Sequence, residues 1–235
     1  MFGATNLASG LTASYGSRTQ QEIVVNGNAQ IDTAQSKFGG SSVYLDGVND
    51  SLSIAGGSDF VFDDDFTFEF WVRIQDQNAD QIILSNRPTT SYSTGNFYIQ
   101  WDNTSSKFQW GIYGFTPISS TNTFSYNTWY HILLQRDSSR VQMYVNGQLE
   151  GSYLSTADSN DVGTNGQTTV YVGLLGSTYD FLGHIDELRL SQSARYPHST
   201  GFTAPTAPFT NDTNTVLLMH ADGSDTSTTI TDDNS

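Results

Sequence analysis

Apolar residues recur at every second position in short runs along this chain, and stretches with helical spacing are missing. The clearest run is Phe66-Thr-Phe-Glu-Phe-Trp-Val-Arg-Ile, which puts Phe66, Phe68, Phe70, Val72 and Ile74 on one face of an extended segment. Successive strand side chains point to opposite faces, so that face is assigned to a core. The other face carries Asp65, Thr67, Glu69, Trp71 and Arg73, a polar row with one aromatic that suits the concave surface of a sheet. Similar patterns predict strands over residues 22–25, 29–31, 42–46, 51–54, 81–84, 96–101, 107–113, 129–136, 140–145, 148–154, 168–174, 184–190 and 216–220. Asn146-Gly147 between two alternating runs marks a type I′ hairpin, because both residues accept positive φ.

Short strands spaced roughly 8 to 14 residues apart predict an all-β, two-sheet antiparallel jelly-roll sandwich. A length of 235 residues fits one such domain. The expected division is an extended arm over 1–22, where apolar residues are sparse, then the sandwich over 23–223, then a polar tail over 224–235. Pro197, Pro205 and Pro208 make residues 196–209 an extended crossing loop before the last strand.

Charge narrows the function classes. The chain has 24 acidic and 9 basic residues, a net charge of −15, and 20 of the acids are Asp. Such a surface repels phosphate backbones and anionic lipids, so nucleic-acid and membrane partners are not expected. Asp favours turns and calcium loops. With no Cys there is neither a disulfide framework nor a thiolate site. The first residues lack the charged start and apolar stretch of a signal peptide, and no run of 18 apolar residues exists, so neither a cleaved leader nor membrane insertion is expected.

Five stretches in order carry a family resemblance: Lys37-Phe-Gly-Gly-Ser-Ser-Val-Tyr-Leu-Asp-Gly, Phe66-Thr-Phe-Glu-Phe-Trp-Val, Thr128-Trp-Tyr-His-Ile, residues 141–147, and Gly183-His-Ile-Asp-Glu-Leu-Arg-Leu. Together they resemble the concanavalin A-like lectin/glucanase superfamily, in particular its laminin G-like branch, which implies the jelly-roll fold. One feature departs from the pattern. Residues 214–224 look like the strand that opens such a domain, yet stand near the C-terminus. The strand over 215–221 either closes its own sheet, begins a neighbouring repeat, or is exchanged between subunits of a homo-oligomer. Closure in cis is expected, because sandwich termini lie close together.

The wording from Phe38-Gly-Gly through Ile185-Asp-Glu-Leu-Arg to Pro205-Thr-Ala-Pro-Phe is similar to laminin G-like domains of marine tailed bacteriophages, including cyanophages. That resemblance implies a virion surface protein, a capsid decoration or tail appendage, with other virion structural proteins as partners and host glycans as ligands. The alternative is a carbohydrate-binding module or lectin of a secreted microbial protein, with an extracellular location.

The superfamily's retaining glucanases need two carboxylates ~5 Å apart on one strand face. Glu69 has Trp71 and Arg73 at the positions where a partner would stand, and His131, His184, His198 and His220 are scattered, so no catalytic residue is assigned and a non-enzymatic role is expected. The resemblance also implies a structural Ca²⁺ held by Asp186 and Asp222, with a backbone carbonyl near Gly39 or Gly40; otherwise these two Asp cap backbone amides. Asp46, Asp50 and Asp63-Asp64-Asp65 read equally as cation loops or as turns. A sugar platform needs aromatic faces beside polar side chains. Tyr92, Tyr98, Trp101, Trp110 and Tyr113 supply them, while the competing reading gives Trp101 and Trp110 to the core, as Trp71 and Trp129 are given.

Overall fold

The computed structural model describes residues 19–138, 140–154, 161–176, 179–196, 198 and 200–234. These form fifteen strands: β1 (Ile23–Asn26), β2 (Gln30–Asp32), β3 (Ser42–Asp46), β4 (Ser51–Ala55), β5 (Phe66–Ile74), β6 (Gln81–Ser85), β7 (Phe97–Asp102), β8 (Lys107–Ile112), β9 (Ile118–Ser119), β10 (Trp129–Asp137), β11 (Arg140–Val145), β12 (Gln148–Leu154), β13 (Thr169–Val172), β14 (Leu182–Ser191) and β15 (Thr215–Met219). One sheet runs β1-β4-β13-β6-β7-β8-β9 and the other β12-β11-β10-β5-β14-β3-β2, with β15 beside β14. Every named pairing is antiparallel. The fold is the all-β jelly-roll sandwich that the alternation predicts. Among the described residues no helix is long and apolar enough to cross a membrane.

Period-two alternation explains the core. Phe66, Phe68, Phe70, Val72 and Ile74 of β5 are buried between the sheets with Phe97, Ile99 and Trp101 of β7 and Phe108 and Trp110 of β8. The β11–β12 hairpin forms at Asn146-Gly147, with φ of 50° and 78°, as the type I′ signal requires. Strand β9 was not predicted, since two residues carry no alternation.

The outer face of β5 is not an open concave surface. Thr67 and Glu69 are fully buried and Trp71 nearly so, because the expected crossing segment folds back over them. Thr67 Oγ1 donates to the Ser193 carbonyl at 2.8 Å, and the Phe202 ring stacks on Tyr196 at 4.0 Å. Phe209 and Leu218 pack beside Trp71. Aromatics in the Pro-containing segment thus supply the cover that a polar loop would not.

Strand β14 organises the eight-stranded sheet. Its first half pairs with β3, Leu182 to Ile185 opposite Asp46 to Val43. Its second half pairs with β15, Leu188 to Ser191 opposite Met219 to Thr215. Between them lies a bulge with Glu187 at φ 55°. The last strand is thus paired with β14 of its own chain.

The arm expected over 1–22 falls mostly outside the described residues; Gln20 and Gln21 lie within them and bond to Asp232. The segment 224–234, expected as a polar tail, is bound to the sandwich. The amide of Asp233 donates to the Leu218 carbonyl at 2.6 Å, and Thr226 and Ser227 exchange backbone bonds with Ile31. Ile230, Asp232 and Asn234 are buried.

Candidate functional site

Strand parity divides the aromatic cluster. Trp101 and Trp110 are each 1% exposed and point into the core, so neither can stack on a ligand. Trp101 bonds through Nε1 to the Tyr126 hydroxyl at 3.1 Å. They share parity with Phe97, Ile99 and Phe108, whereas Tyr98 and Gln100 stand on the opposite, outer face of β7. Tyr92, Tyr98 and Tyr113 remain together: the Tyr92 ring lies 6.0 Å from that of Tyr98 and 5.3 Å from that of Tyr113.

Tyr92 and Tyr98, but not Tyr113, border a pocket of about 310 Å³ lined by Ile82, Arg87, Thr90, Tyr92, Tyr98, Gln100, Leu175 and Tyr179. The strands supply its floor, with Ile82, Tyr98 and Gln100 on the outer face of the seven-stranded sheet. The loop after β6 supplies Arg87 and Tyr92, and the loop after β13 supplies Leu175 and Tyr179. Room for the Tyr98 ring comes from Gly111, its partner across β8; a Cβ there would overlap the ring.

Arg87 is 8% exposed. Its Nε donates to the Ser91 carbonyl at 3.2 Å and its Nη2 to the Thr90 carbonyl, while the guanidinium lies 4.5 Å from the Tyr92 ring. Burial lowers its pKa and raises those of Tyr92 and Tyr98, with the cation and the phenols partly offsetting this. The hydroxyls of Tyr92, Tyr98 and Tyr179 have no hydrogen-bond partner among the described residues. Exposed aromatic faces, free hydroxyls and a fixed guanidinium equip this pocket to hold a polar ligand with apolar faces. Arg87 and Tyr179 were missed from the sequence because loops distant along the chain bring them to β7, where Gln100 stands.

The second predicted group lies at the β14 bulge. Asp186 is fully buried; its Oδ2 accepts from the amides of Lys37 at 2.6 Å and Phe38 at 3.1 Å, and its Oδ1 has no partner. Burial raises the Asp186 pKa to about 7 against those amides, and the charges of Glu187 and Asp222 add to the rise. Asp222 reaches this place because Gly39 has no side chain; a Cβ there would overlap the carboxylate. Ser41 pins the segment, donating to the Ala221 carbonyl at 2.9 Å and accepting from the Gly223 amide at 3.0 Å. Glu187 is held by His220 Nδ1 at 3.0 Å and the Phe209 amide at 2.7 Å. Among the described residues no three His, Asp or Glu side chains converge as a metal cage, so an ion here would take two carboxylates and complete its shell with backbone oxygens and water. An orphaned, buried carboxylate oxygen beside a second carboxylate fits a hard cation.

The other acidic loops spend their carboxylates on the backbone. Asp50 accepts from the amides of Asn28 and Asp46, and Asp65 from that of Ser138.

A laminin G family model, described as the Concanavalin A-like lectin/glucanases superfamily, matches residues 45–199, well over half of the chain. The chain belongs to this superfamily. No curated protein matches the sequence. Among solved structures, domain 4 of AbnA, a GH43 extracellular arabinanase from Geobacillus stearothermophilus, in complex with arabinotriose, is 19% identical with a TM-score of 0.57, covering 78% of this chain and 87% of that one. The binding domain of botulinum neurotoxin serotype D is 13% identical with a TM-score of 0.56, covering 75% and 44%. A protein from Bacteroides ovatus is 17% identical with a TM-score of 0.51, covering 88% and 53%. The chain thus spans about half the length of the Bacteroides protein, and at these identities the likeness is one of fold.

For a superfamily that includes glucanases, the carboxylate on the long central strand matters. Glu69 is fully buried. Its Oε1 accepts from Arg189 Nε at 2.9 Å and Nη2 at 2.6 Å, and its Oε2 from the Tyr196 hydroxyl at 3.0 Å. His131 Nε2 stands 3.5 Å from Oε2, beyond a good hydrogen bond. Burial opposes ionisation of Glu69, and the neighbouring His131 and Arg189 outweigh it, so the carboxyl stays below its usual range. A carboxylate sealed from solvent and neutralised by arginine holds sheet and crossing loop together; it has no access to a glycosidic bond.

Proposed function

We propose that this protein is a non-catalytic carbohydrate-binding module, and that the tyrosine pocket on the seven-stranded sheet is its sugar site. The observation that carries the reading is the pairing of Tyr92 and Tyr98, outward-facing and close together, with free hydroxyls and Gln100 within one pocket. A pyranose or furanose presents apolar C–H faces to such rings and hydroxyl edges to the polar groups. The arabinotriose-bound arabinanase domain, of the same fold, supports the reading as an analogy. A glycan array with the wild type, Tyr98→Ala and Tyr92→Ala tests it: binding of at least one glycan, weakened tenfold or more by either change, is expected. No binding by the wild type, or binding unchanged in both variants, overturns it.

Two narrower proposals accompany it. A structural Ca²⁺ held by Asp186 and Asp222 is supported by the orphaned Asp186 Oδ1. Display on a bacteriophage virion surface, next to other virion proteins, is supported by the motif wording of Phe38-Gly-Gly through Pro208-Phe209 alone; an extracellular setting is its alternative. Mass spectrometry of purified particles decides between them, since particles lacking the protein overturn the virion setting.

A further inference from the structure

We propose that the tyrosine pocket selects an anionic saccharide, one bearing a carboxylate or sulfate that meets the guanidinium of Arg87; the inference rests on the sugar-binding reading of this pocket. The chain has 24 acidic and only 9 basic residues, so a buried cation ordinarily finds a carboxylate. Arg136 pairs with Asp161 at 2.8 Å, Arg189 with Glu69 at 2.6 Å, and Arg195 with Asp212 at 2.7 Å. Lys37, 3.8 Å from the Trp71 ring, feels the charge of Asp186.

Arg87 differs. It is more than nine-tenths buried, and the titratable groups around it among the described residues are the neutral phenols of Tyr92, Tyr98 and Tyr179, with no carboxylate. Burying an uncompensated cation is costly. The two bonds to the carbonyls of Ser91 and Thr90 orient the guanidinium and use two of its five N–H donors. Arg87 is one of the residues that line the pocket beside Tyr92 and Tyr98, and the planar paired donors of a guanidinium match a carboxylate or sulfate. The tyrosine faces take the sugar ring and Arg87 takes its charge, which gives the pocket a preference that the overall negative charge of the protein would otherwise oppose.

Isothermal titration with matched probes tests this. Galacturonic acid trimer is compared with its methyl ester, and a sulfated galactose oligosaccharide with its desulfated form, so the two arms separate carboxylate from sulfate recognition. The wild type is expected to bind the charged member of at least one pair tenfold or more tightly than the neutral one. Arg87→Gln should abolish that preference and Arg87→Lys should retain part of it. Equal binding of charged and neutral probes by the wild type overturns the anionic preference and leaves the sugar site standing; that comparison needs no variant to fold. Binding of neither member of either pair, in a protein that also fails on the glycan array, overturns both. A preference undiminished in a folded Arg87→Gln places the anion elsewhere and overturns the role of Arg87.

Discussion

The ring of Tyr98 lies across the backbone of Gly111 on the neighbouring strand, where the two residues face each other in register. Gly111 has no positive φ, so an alanine is tolerated by the backbone there and acts only through the ring it displaces. Gly111→Ala is expected to lower glycan affinity at least tenfold while far-UV circular dichroism stays unchanged. Retained affinity would show that the ring's placement does not matter to binding.

Glu69→Gln tests the buried ion pair under the crossing loop. The change keeps the side chain's shape but leaves the Arg189 guanidinium, 7% exposed, without its counter-charge. A loss of about 3 kcal/mol is expected in urea unfolding. A loss below about 1 kcal/mol, in the range of exposed pairs, would mean that solvent reaches this site.

Addition of a chelator should lower the melting temperature, and Ca²⁺ should restore it. At a 100-fold excess over the dissociation constant the ion stabilises by about 2.7 kcal/mol. Asp186→Asn should remove the response. An identical melting temperature with chelator and with Ca²⁺ would take the ion out of the account.

Asp212 gives the acid limb of the stability curve. Burial works against its ionisation, but Arg195 Nη1 at 2.7 Å and Nη2 at 2.9 Å, with the Asn214 amide and the Thr215 hydroxyl, outweigh it and hold the pKa at about 2. Its folded value lies below the ordinary 3.8, so its stabilising contribution is complete above that value and is lost as pH falls towards 2. Thermal melts of Asp212→Asn should therefore show a shallower decline between about pH 4 and pH 2 than the wild type. Parallel curves would show that Asp212 does not drive the decline.

Asp232 accepts backbone amides from Gln21 at 2.8 Å, Leu218 at 3.0 Å and Asn234 at 3.0 Å. Asp232→Ala leaves these donors unpaired and is expected to cost about 2 kcal/mol in chemical denaturation. An unchanged midpoint would mean that the 224–234 segment adds nothing to stability.

Most of the fold was legible because strands obey parity. The run 66–74 announced its inner face, and Asn146-Gly147 announced its turn. The same parity separates Tyr98 from Trp101, since Phe97, Ile99 and Trp101 form one face; treating the aromatics as one cluster ignored it. Burial of Thr67 and Glu69 was not legible from their own strand, because the cover comes from residues 192–209, over a hundred positions away. Tyr196, Phe202 and Phe209 were the available signal, aromatics too many for an exposed loop. The polar tail misled for a related reason: its anchoring runs through Asp232 and backbone bonds, which composition does not reveal. Arg87 was detectable only as one of nine basic residues, and that no carboxylate meets it among the described residues follows from the way distant segments fold together.

Strand β14 receives β3 on its first half and β15 on its second, and β15 is locked by residues 226–234. During synthesis the first fourteen strands can therefore emerge from the ribosome while one flank of the sheet still shows unpaired amides and carbonyls around Leu188–Ser191. That flank is filled only once β15 and residues 226–234 have been made, which makes the nascent chain dependent on late closure and exposes it meanwhile to pairing with other chains.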